Sequence, residues 1–256
     1  MTDSLLLTLG ISLLIQAVFF AFAATLKTDK VTDLSYGLSF VLIAIALLVR
    51  GDAGHRPQLA LALMVILWGL RLAGYLLFRI VHMGRDKRFD GVRENFLRFL
   101  RFWVFQGIAV WIIMLPIIVW FAAPGDWHAL MMVGAIVWAV GFVIEAIADA
   151  QKFAAKSRPG GEARWIETGL WRYSRHPNYF GELLVWWGIF LFVVRDLSLV
   201  ERVTIIGPLA ITFLLLRVTG IPTLEASAAK KWGDNPGYQA YVARTSRLVL
   251  LPPKTR

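Results

Sequence analysis

Seven times along this chain an apolar run recurs that is long enough, at about 1.5 Å of rise per residue, to carry an α-helix across a hydrocarbon layer of roughly 30 Å. The runs lie near residues 4–25, 33–49, 57–82, 96–122, 127–149, 179–194 and 203–220. The sixth is short if counted from Gly181, so the polar stretch before it is expected to wind into its first turn. The fold class this predicts is all-α: a polytopic membrane protein of seven transmembrane helices. Neither an internal repeat nor a low-complexity run is visible. Residues 1–256 are therefore read as a single membrane domain that ends in a cytoplasmic tail, 221–256.

Composition excludes the soluble all-helical alternative. Hydrophobic residues make up 58% of the chain and charged residues 17%, where an ordinary soluble domain has roughly 25% charged. Eleven Trp and seventeen Phe exceed the needs of a core this size and suit aromatic belts at two membrane interfaces. The N-terminus lacks a basic segment, and no small-residue cleavage site follows the first apolar run, so no cleaved signal peptide is expected.

Orientation follows from the basic residues. Arg50, Arg56, Arg195 and Arg202 lie in loops that share one side with the N-terminus. Twenty lie on the other side: Lys27 and Lys30, six between Arg85 and Arg101, six between Lys152 and Arg175, and six in the tail from Lys230 to Arg256. The remaining three, Arg71, Arg79 and Arg217, fall inside spans. Twenty against four puts the N-terminus outside and the C-terminus in the cytoplasm, which requires an odd number of spans. The net charge of +10 then belongs where anionic lipid headgroups meet it, and a nucleic-acid partner is not called for. The absence of cysteine removes disulfides, thiol nucleophiles and iron–sulfur chemistry.

Charges inside the spans gather in the cytoplasmic half. A charge within a bilayer is costly and each one asks for a reason. Arg71 lies near the middle of the third span, and Tyr75 and Arg79 follow at i+4 and i+8 on the same helix face. Asp33 and Tyr36 open the second span, Glu145 and Asp149 close the fifth, Asn178 and Glu182 begin the sixth, and Arg217 stands one turn before the end of the seventh. The asymmetry implies a polar cavity open to the cytoplasm. Interhelical ion pairs and interfacial anchors would produce the same residues without a site. That reading is strongest for Asp33 and Arg79, which lie near span ends where snorkelling costs little. Glu182 paired with Arg217 would be another such structural ion pair.

The richest stretch is 149–187. Its loop, 150–180, carries six basic residues against Glu162 and Glu167, and Pro159-Gly160-Gly161 marks a turn. Arg175-His176-Pro177-Asn178 leads into the next helix, with Pro177 close to the first turn, where proline is tolerated. A basic loop beside a helix N-terminus suits phosphate groups. A solvated loop lying on anionic lipid accounts for the individual Lys and Arg equally well. There is no GxGxxG and no Walker loop. His55, His82, His128 and His176 are scattered without metal-ligand spacing, so no metal site is expected.

Trp171-Arg-Tyr-Ser-Arg-His-Pro-Asn-Tyr-Phe-Gly181-Glu182, followed by Trp186 and Trp187, resembles the C-terminal region of membrane steroid 5-alpha-reductases, in particular bacterial relatives of uncharacterised substrate. The likeness runs from about Leu67 to the C-terminus and is strongest over 145–190. It implies an oxidoreductase of an inner membrane that binds NADPH at the cytoplasmic ends of its last helices. Hydride would pass to a conjugated C=C bond in a lipid or steroid-like substrate entering from the bilayer. Position by position, the resemblance implies cofactor contacts for Asp149, Lys156 or Arg158, Arg164, Asn178, Glu182, Trp186 and Arg217, with Glu145 where the family has asparagine. Arg71 also matches a family arginine and is a candidate catalytic residue. The sequence departs from the family in three ways. The Gln-Glu pair that engages a steroid ketone is not recognisable. Trp68 stands where a catalytic tyrosine is expected, and Ile221 and Glu225 replace late His and Tyr positions. Tyr75 and Tyr36, the latter beside Asp33, are then the candidate proton donors.

The Arg-His-Pro signature is also shared with isoprenylcysteine carboxyl methyltransferases and phospholipid methyltransferases. Arg175-His176-Pro177, Gly181, Glu225 and Tyr238-Gln-Ala-Tyr241 fit that pattern too, and imply S-adenosylmethionine as the alternative cofactor; His176 and Glu225 are candidate cofactor-binding residues with the others. S-adenosylmethionine is a cation overall, whereas NADPH carries several negative phosphate charges, so the basic loop favours NADPH. A non-enzymatic lipid carrier or scaffold is the third possibility.

Overall fold

The computed structural model describes residues 1–52, 54–83, 91–158, 160 and 164–254. Arg85, Lys87, Arg88, Pro159, Gly161, Glu162 and Arg256 lie outside the described residues. The described chain is helical, and in place of strands it has one isolated bridge, Ser174 with Ser246. In order the helices are α1 (Thr2–Thr25), α2 (Thr32–Arg50), α3 (Arg56–Met83), α4 (Phe96–Trp120), α5 (Ala129–Lys156), α6 (Pro177–Val193), α7 (Ile206–Phe213), α8 (Ile221–Trp232) and α9 (Pro236–Arg244). Short 3₁₀ turns, Gly169–Arg172 and Glu201–Ile205, precede α6 and α7.

Six helical stretches among the described residues are long and apolar enough to cross a membrane: α1 to α5 and the stretch Glu201–Trp232, which contains α7 and α8. α6 has 17 residues. The segment expected at 127–149 continues to Lys156, because Asp149-Ala-Gln-Lys-Phe-Ala-Ala-Lys forms helix readily while being too polar for an apolar window. The 221–256 tail is not featureless. It holds α8 and α9, separated by a turn in which Asn235 caps α9 by accepting hydrogen bonds from the Gly237 and Tyr238 amides.

The chain divides into two compact units. In the first, Met1–Met132 with Phe190–Gly207, small residues set the helix packing. A Cβ added at Gly37 of α2 would lie 2.8 Å from the Ala73 Cβ of α3, and one added at Gly69 would lie 2.7 Å from Val41 Cγ2. This close approach brings Arg79 Nη2 within 3.0 Å of Asp33 Oδ2. α1, α2 and α4 are joined by a buried polar network. Gln106 Nε2 donates to Gln16 Oε1 (2.9 Å) and Ser35 Oγ (3.1 Å), and Gln16 Nε2 donates to Ser39 Oγ (2.8 Å). Such a network ties helices together in an environment that offers no competing water.

The second unit is Val133–Ile189 with Pro208–Arg256. α5 and α6 touch backbone to backbone along two glycine pairs, each spaced by seven residues. A Cβ at Gly181 would meet Glu145 N and Gly141 O at 2.6 Å, and a Cβ at Gly188 would meet Trp138 N at 2.6 Å and Gly134 O at 2.8 Å. Seven residues is two helical turns, so Gly134 and Gly141 share one face of α5, and Gly181 and Gly188 one face of α6. After α7 the helix passes through a π turn, Leu214–Val218, and is interrupted at Gly220 before α8, which carries Pro222 in its first turn.

Candidate functional site

The second unit contains a cavity of about 240 Å³ where the C-terminal end of α5, the segment before α6, α8 and α9 converge. Five cations line it: Lys152 and Lys156 from α5, Arg164, Arg175, and Lys231 from α8. Among the described residues Glu225 is the one acidic member of the lining. Between the charges stand five aromatic side chains, Trp165, Trp171, Trp232, Tyr238 and Tyr241.

The lining is held by backbone contacts. Trp171 Nε1 donates to the Ala148 carbonyl (3.1 Å), which fixes the Gly169–Arg172 turn against α5. Tyr241 Oη donates back to the Trp171 carbonyl (2.9 Å). Burial pushes the Tyr241 phenol well above its ordinary pKa and raises that of Tyr238, so both stay protonated. The segment after α9 folds over the residues before α6. The Arg175 amide donates to the Ser246 carbonyl (2.8 Å), Ser174 Oγ to the Leu248 carbonyl (2.6 Å), and the Leu251 amide to the Tyr173 carbonyl (3.2 Å). Arg175 and His176 are therefore locked in place by a chain segment some 70 residues away in sequence.

Glu225 is the charge hub. Its carboxylate lies 2.8 Å from Arg175 Nη1, 3.0 Å from Arg247 Nη2 and 3.4 Å from His176 Nε2. His176 is 6% exposed and stacks on Tyr179, with ring centroids 5.8 Å apart and 11° between the planes. Burial pushes its pKa down to about 4 in spite of Glu225, which pulls the other way. The imidazole is therefore neutral near pH 7. Its Nδ1 has no hydrogen-bond partner among the described residues, nor does Asn178 Oδ1. Leaving a buried polar atom unpaired costs about 1–3 kcal/mol, so a buried orphan nitrogen beside a cavity calls for a ligand group or water.

Of the residues singled out from sequence, Lys156, Arg164, His176 and Glu225 line this cavity. Asp149 lies one turn from Lys152 on α5 and is buried. Glu145 and Glu182, both buried, flank the Gly141–Gly181 contact, and Trp186, one turn beyond Glu182, is also buried. Arg158 is exposed beyond the end of α5. Arg217 is exposed on the π turn and makes no ion pair with Glu182 among the described residues. Tyr36, Arg71 and Tyr75 belong to the first unit, half-buried on α2 and α3. Tyr36 packs edge-on against Phe40 (5.1 Å), and Phe40 likewise against the fully buried Trp68 (5.2 Å). Asp33, the neighbour of Tyr36, is engaged by Arg79. Sequence reasoning missed Trp165, Lys152 and Lys231 as parts of the cavity wall. For Lys152 the available signal was its place in the basic 150–180 stretch; Trp165 and Lys231 carry no local one.

A protein family described as a protein of unknown function, DUF1295, matches residues 19–245. The chain belongs to this family. The match takes in α2 to α9, and so the DUF1295 portion of the chain includes the cavity lining and the paired glycines of α5 and α6. Comparison with curated proteins and with solved structures gave no match.

Proposed function

We propose that this DUF1295 protein is an NADPH-dependent membrane reductase of a conjugated C=C bond in a lipid or steroid-like substrate. The observation that carries the reading is the cavity wall: five Lys and Arg against one carboxylate, interleaved with aromatic rings. Cations at that density suit the phosphates of a dinucleotide, and ring faces suit its bases. The orphaned His176 Nδ1 fits the same ligand, since a neutral imidazole nitrogen accepts a hydrogen bond from a ribose hydroxyl or an amide. NADPH, when bound, supplies the hydride. Lys152, Lys156, Arg164 and Lys231 would hold its phosphates, and Glu225 would keep Arg175 and His176 in position. The resemblance to steroid 5-alpha-reductases adds Glu145, Asp149, Asn178 and Glu182 as further contacts. The proton that completes reduction comes from an acid that also polarises the substrate carbonyl, for which Tyr75 and Tyr36 are the candidates.

A second reading has one observation in its favour. Arg175, His176, Glu225, Tyr238 and Tyr241, the residues shared with the isoprenylcysteine and phospholipid methyltransferases, all line the cavity together. Charge argues against it, because a sulfonium cofactor would enter a wall already rich in cations. Mass spectrometry of the small molecule that co-purifies separates the two. NADP(H) supports the reductase, and S-adenosylmethionine or its demethylated product overturns it.

The topology belongs to the same proposal. α6, at 17 residues, reaches the lower limit of about 17–25 for a span. Counting it gives seven, with the N-terminus outside and the cavity facing the cytoplasm of a bacterial inner membrane, as the distribution of basic residues requires. Accessibility tags near residue 124 and at the C-terminus are expected on opposite sides. Finding them on one side removes the seven-span arrangement.

A further inference from the structure

Building on the NADPH reading, we infer that Trp165, Trp232 and Tyr238, with Arg164 and Lys231, form the subsite for a purine ring carrying a ribose 2′-phosphate. The three rings make one cluster on the cavity wall. Trp165 lies 6.3 Å from Trp232 and 5.5 Å from Tyr238 between centroids, and Trp232 lies 5.9 Å from Tyr238. Arg164 is placed 5.5 Å from the Trp165 ring centre and Lys231 4.9 Å from that of Trp232.

The cluster is built rather than incidental. The Asn235 cap starts α9 so that Tyr238 falls in its first turn, and Gly237 lets the Trp165 ring approach the backbone, since a Cβ there would meet that ring at 3.3 Å. The Trp165 indole nitrogen is buried without a hydrogen-bond partner among the described residues, which leaves a donor for a ring nitrogen or a phosphate oxygen.

The two ends of the cofactor differ in the property this wall reads. An oxidised nicotinamide ring is itself positive, and two cations beside an aromatic cluster disfavour it. A purine is neutral, offers a flat π face, and in NADP(H) is joined to a ribose bearing an extra phosphate. Ring faces take the base and the neighbouring cations take the phosphate. A cavity of about 240 Å³ is below the range of roughly 300–1,000 Å³ for whole-ligand pockets, as suits one end of a dinucleotide.

The test uses the full-length protein in lipid nanodiscs and three probes: NADPH, adenosine 2′,5′-bisphosphate and reduced nicotinamide mononucleotide. Adenosine 2′,5′-bisphosphate is expected to displace NADPH from the wild type. Trp232→Leu should weaken both NADPH and the bisphosphate by the same factor, roughly 10- to 100-fold, and leave reduced nicotinamide mononucleotide unchanged. Arg164→Met, at an exposed position whose surface ion pair with Glu167 (2.7 Å) contributes little to stability, should narrow the preference for NADPH over NADH at least roughly fivefold. If the wild type binds NADPH but Arg164→Met keeps the full preference, or the bisphosphate fails to compete, the subsite is wrong and the reductase reading survives. If the wild type binds no NADPH, the reductase reading falls and takes the subsite with it.

Discussion

Replacing Glu225 with Gln keeps the size of the side chain and removes its charge, and so separates a counter-ion from a ligand contact. The three partners of the carboxylate differ in exposure, and therefore in what its loss costs. Arg247 keeps 51% of its side chain in solvent, so its contribution is small, on the order of 0.5 kcal/mol. Arg175 keeps 17%. A fully buried cation stripped of its partner costs roughly 3–5 kcal/mol, and residual hydration at this site reduces that to about 2 kcal/mol. His176 is neutral near pH 7 and loses only a contact at 3.4 Å. The expected loss of stability is therefore about 2–3 kcal/mol. Ligand binding should move differently. The substitution removes the one acid among the described residues of a cationic lining, so affinity for NADPH per folded molecule should stay within about threefold of wild type, or tighten. Thermal denaturation without ligand and calorimetric NADPH titration of the same preparation give both numbers. An unchanged melting temperature together with an affinity loss of about tenfold or more would refute the counter-ion role.

Three further outcomes are expected. His176 carries a pKa near 4 in the fold against 6.5 when unfolded, so the unfolded state takes up its proton first and stability falls as pH drops from 6.5 through 4. The loss is up to about 3 kcal/mol, and denaturation midpoints of His176→Gln should lack that part of the pH dependence. Gly181→Ala puts a methyl 2.6 Å from two backbone atoms of α5, where no side chain can swing aside, and should cost about 1–3 kcal/mol. Gly10→Ala, with nothing within 4 Å of the added carbon, should cost nothing, and equal melting temperatures for the two variants would disprove the backbone contact. Tyr75→Phe should lower turnover roughly 100-fold while leaving NADPH affinity nearly unchanged, since it removes only a proton donor. Full activity in that variant, with loss in Tyr36→Phe, transfers the role to Tyr36.

Apolar length alone located the six helical stretches long enough to cross a membrane, because hydrophobicity sustained over roughly 20 residues is more than a soluble core helix needs and matches what a bilayer core demands. What it could not locate were the parts of the helices outside the bilayer. α5 runs seven residues past the expected end, and α8 and α9 were read only as a tail, since both are short and amphipathic and escape a hydropathy window. Asn235 caps α9 and Pro236 takes its first helical position, a local signal that no hydropathy window reports. Within the candidate site, Lys156, Arg164, His176 and Glu225 could be chosen from motif and charge. Trp165 and Lys231 could not, because nothing local says that residue 165 will meet residue 232. That meeting depends on the loop before α6 folding onto α8 and α9. The paired glycines of α5 and α6 are a related case: Gly134 with Gly141, and Gly181 with Gly188, share a seven-residue spacing that acquires meaning only when the two helices are laid together.

The central claim is that the cationic cavity takes NADPH. The most direct test is calorimetric titration of the purified full-length protein, in nanodiscs, with NADPH, NADH and S-adenosylhomocysteine. NADPH is expected to bind more tightly than NADH, because its additional phosphate would meet Arg164 and Lys231 of the lining, and S-adenosylhomocysteine is expected to bind most weakly of the three. Tighter binding of S-adenosylhomocysteine than of NADPH would contradict the account and assign the cavity to methyl transfer.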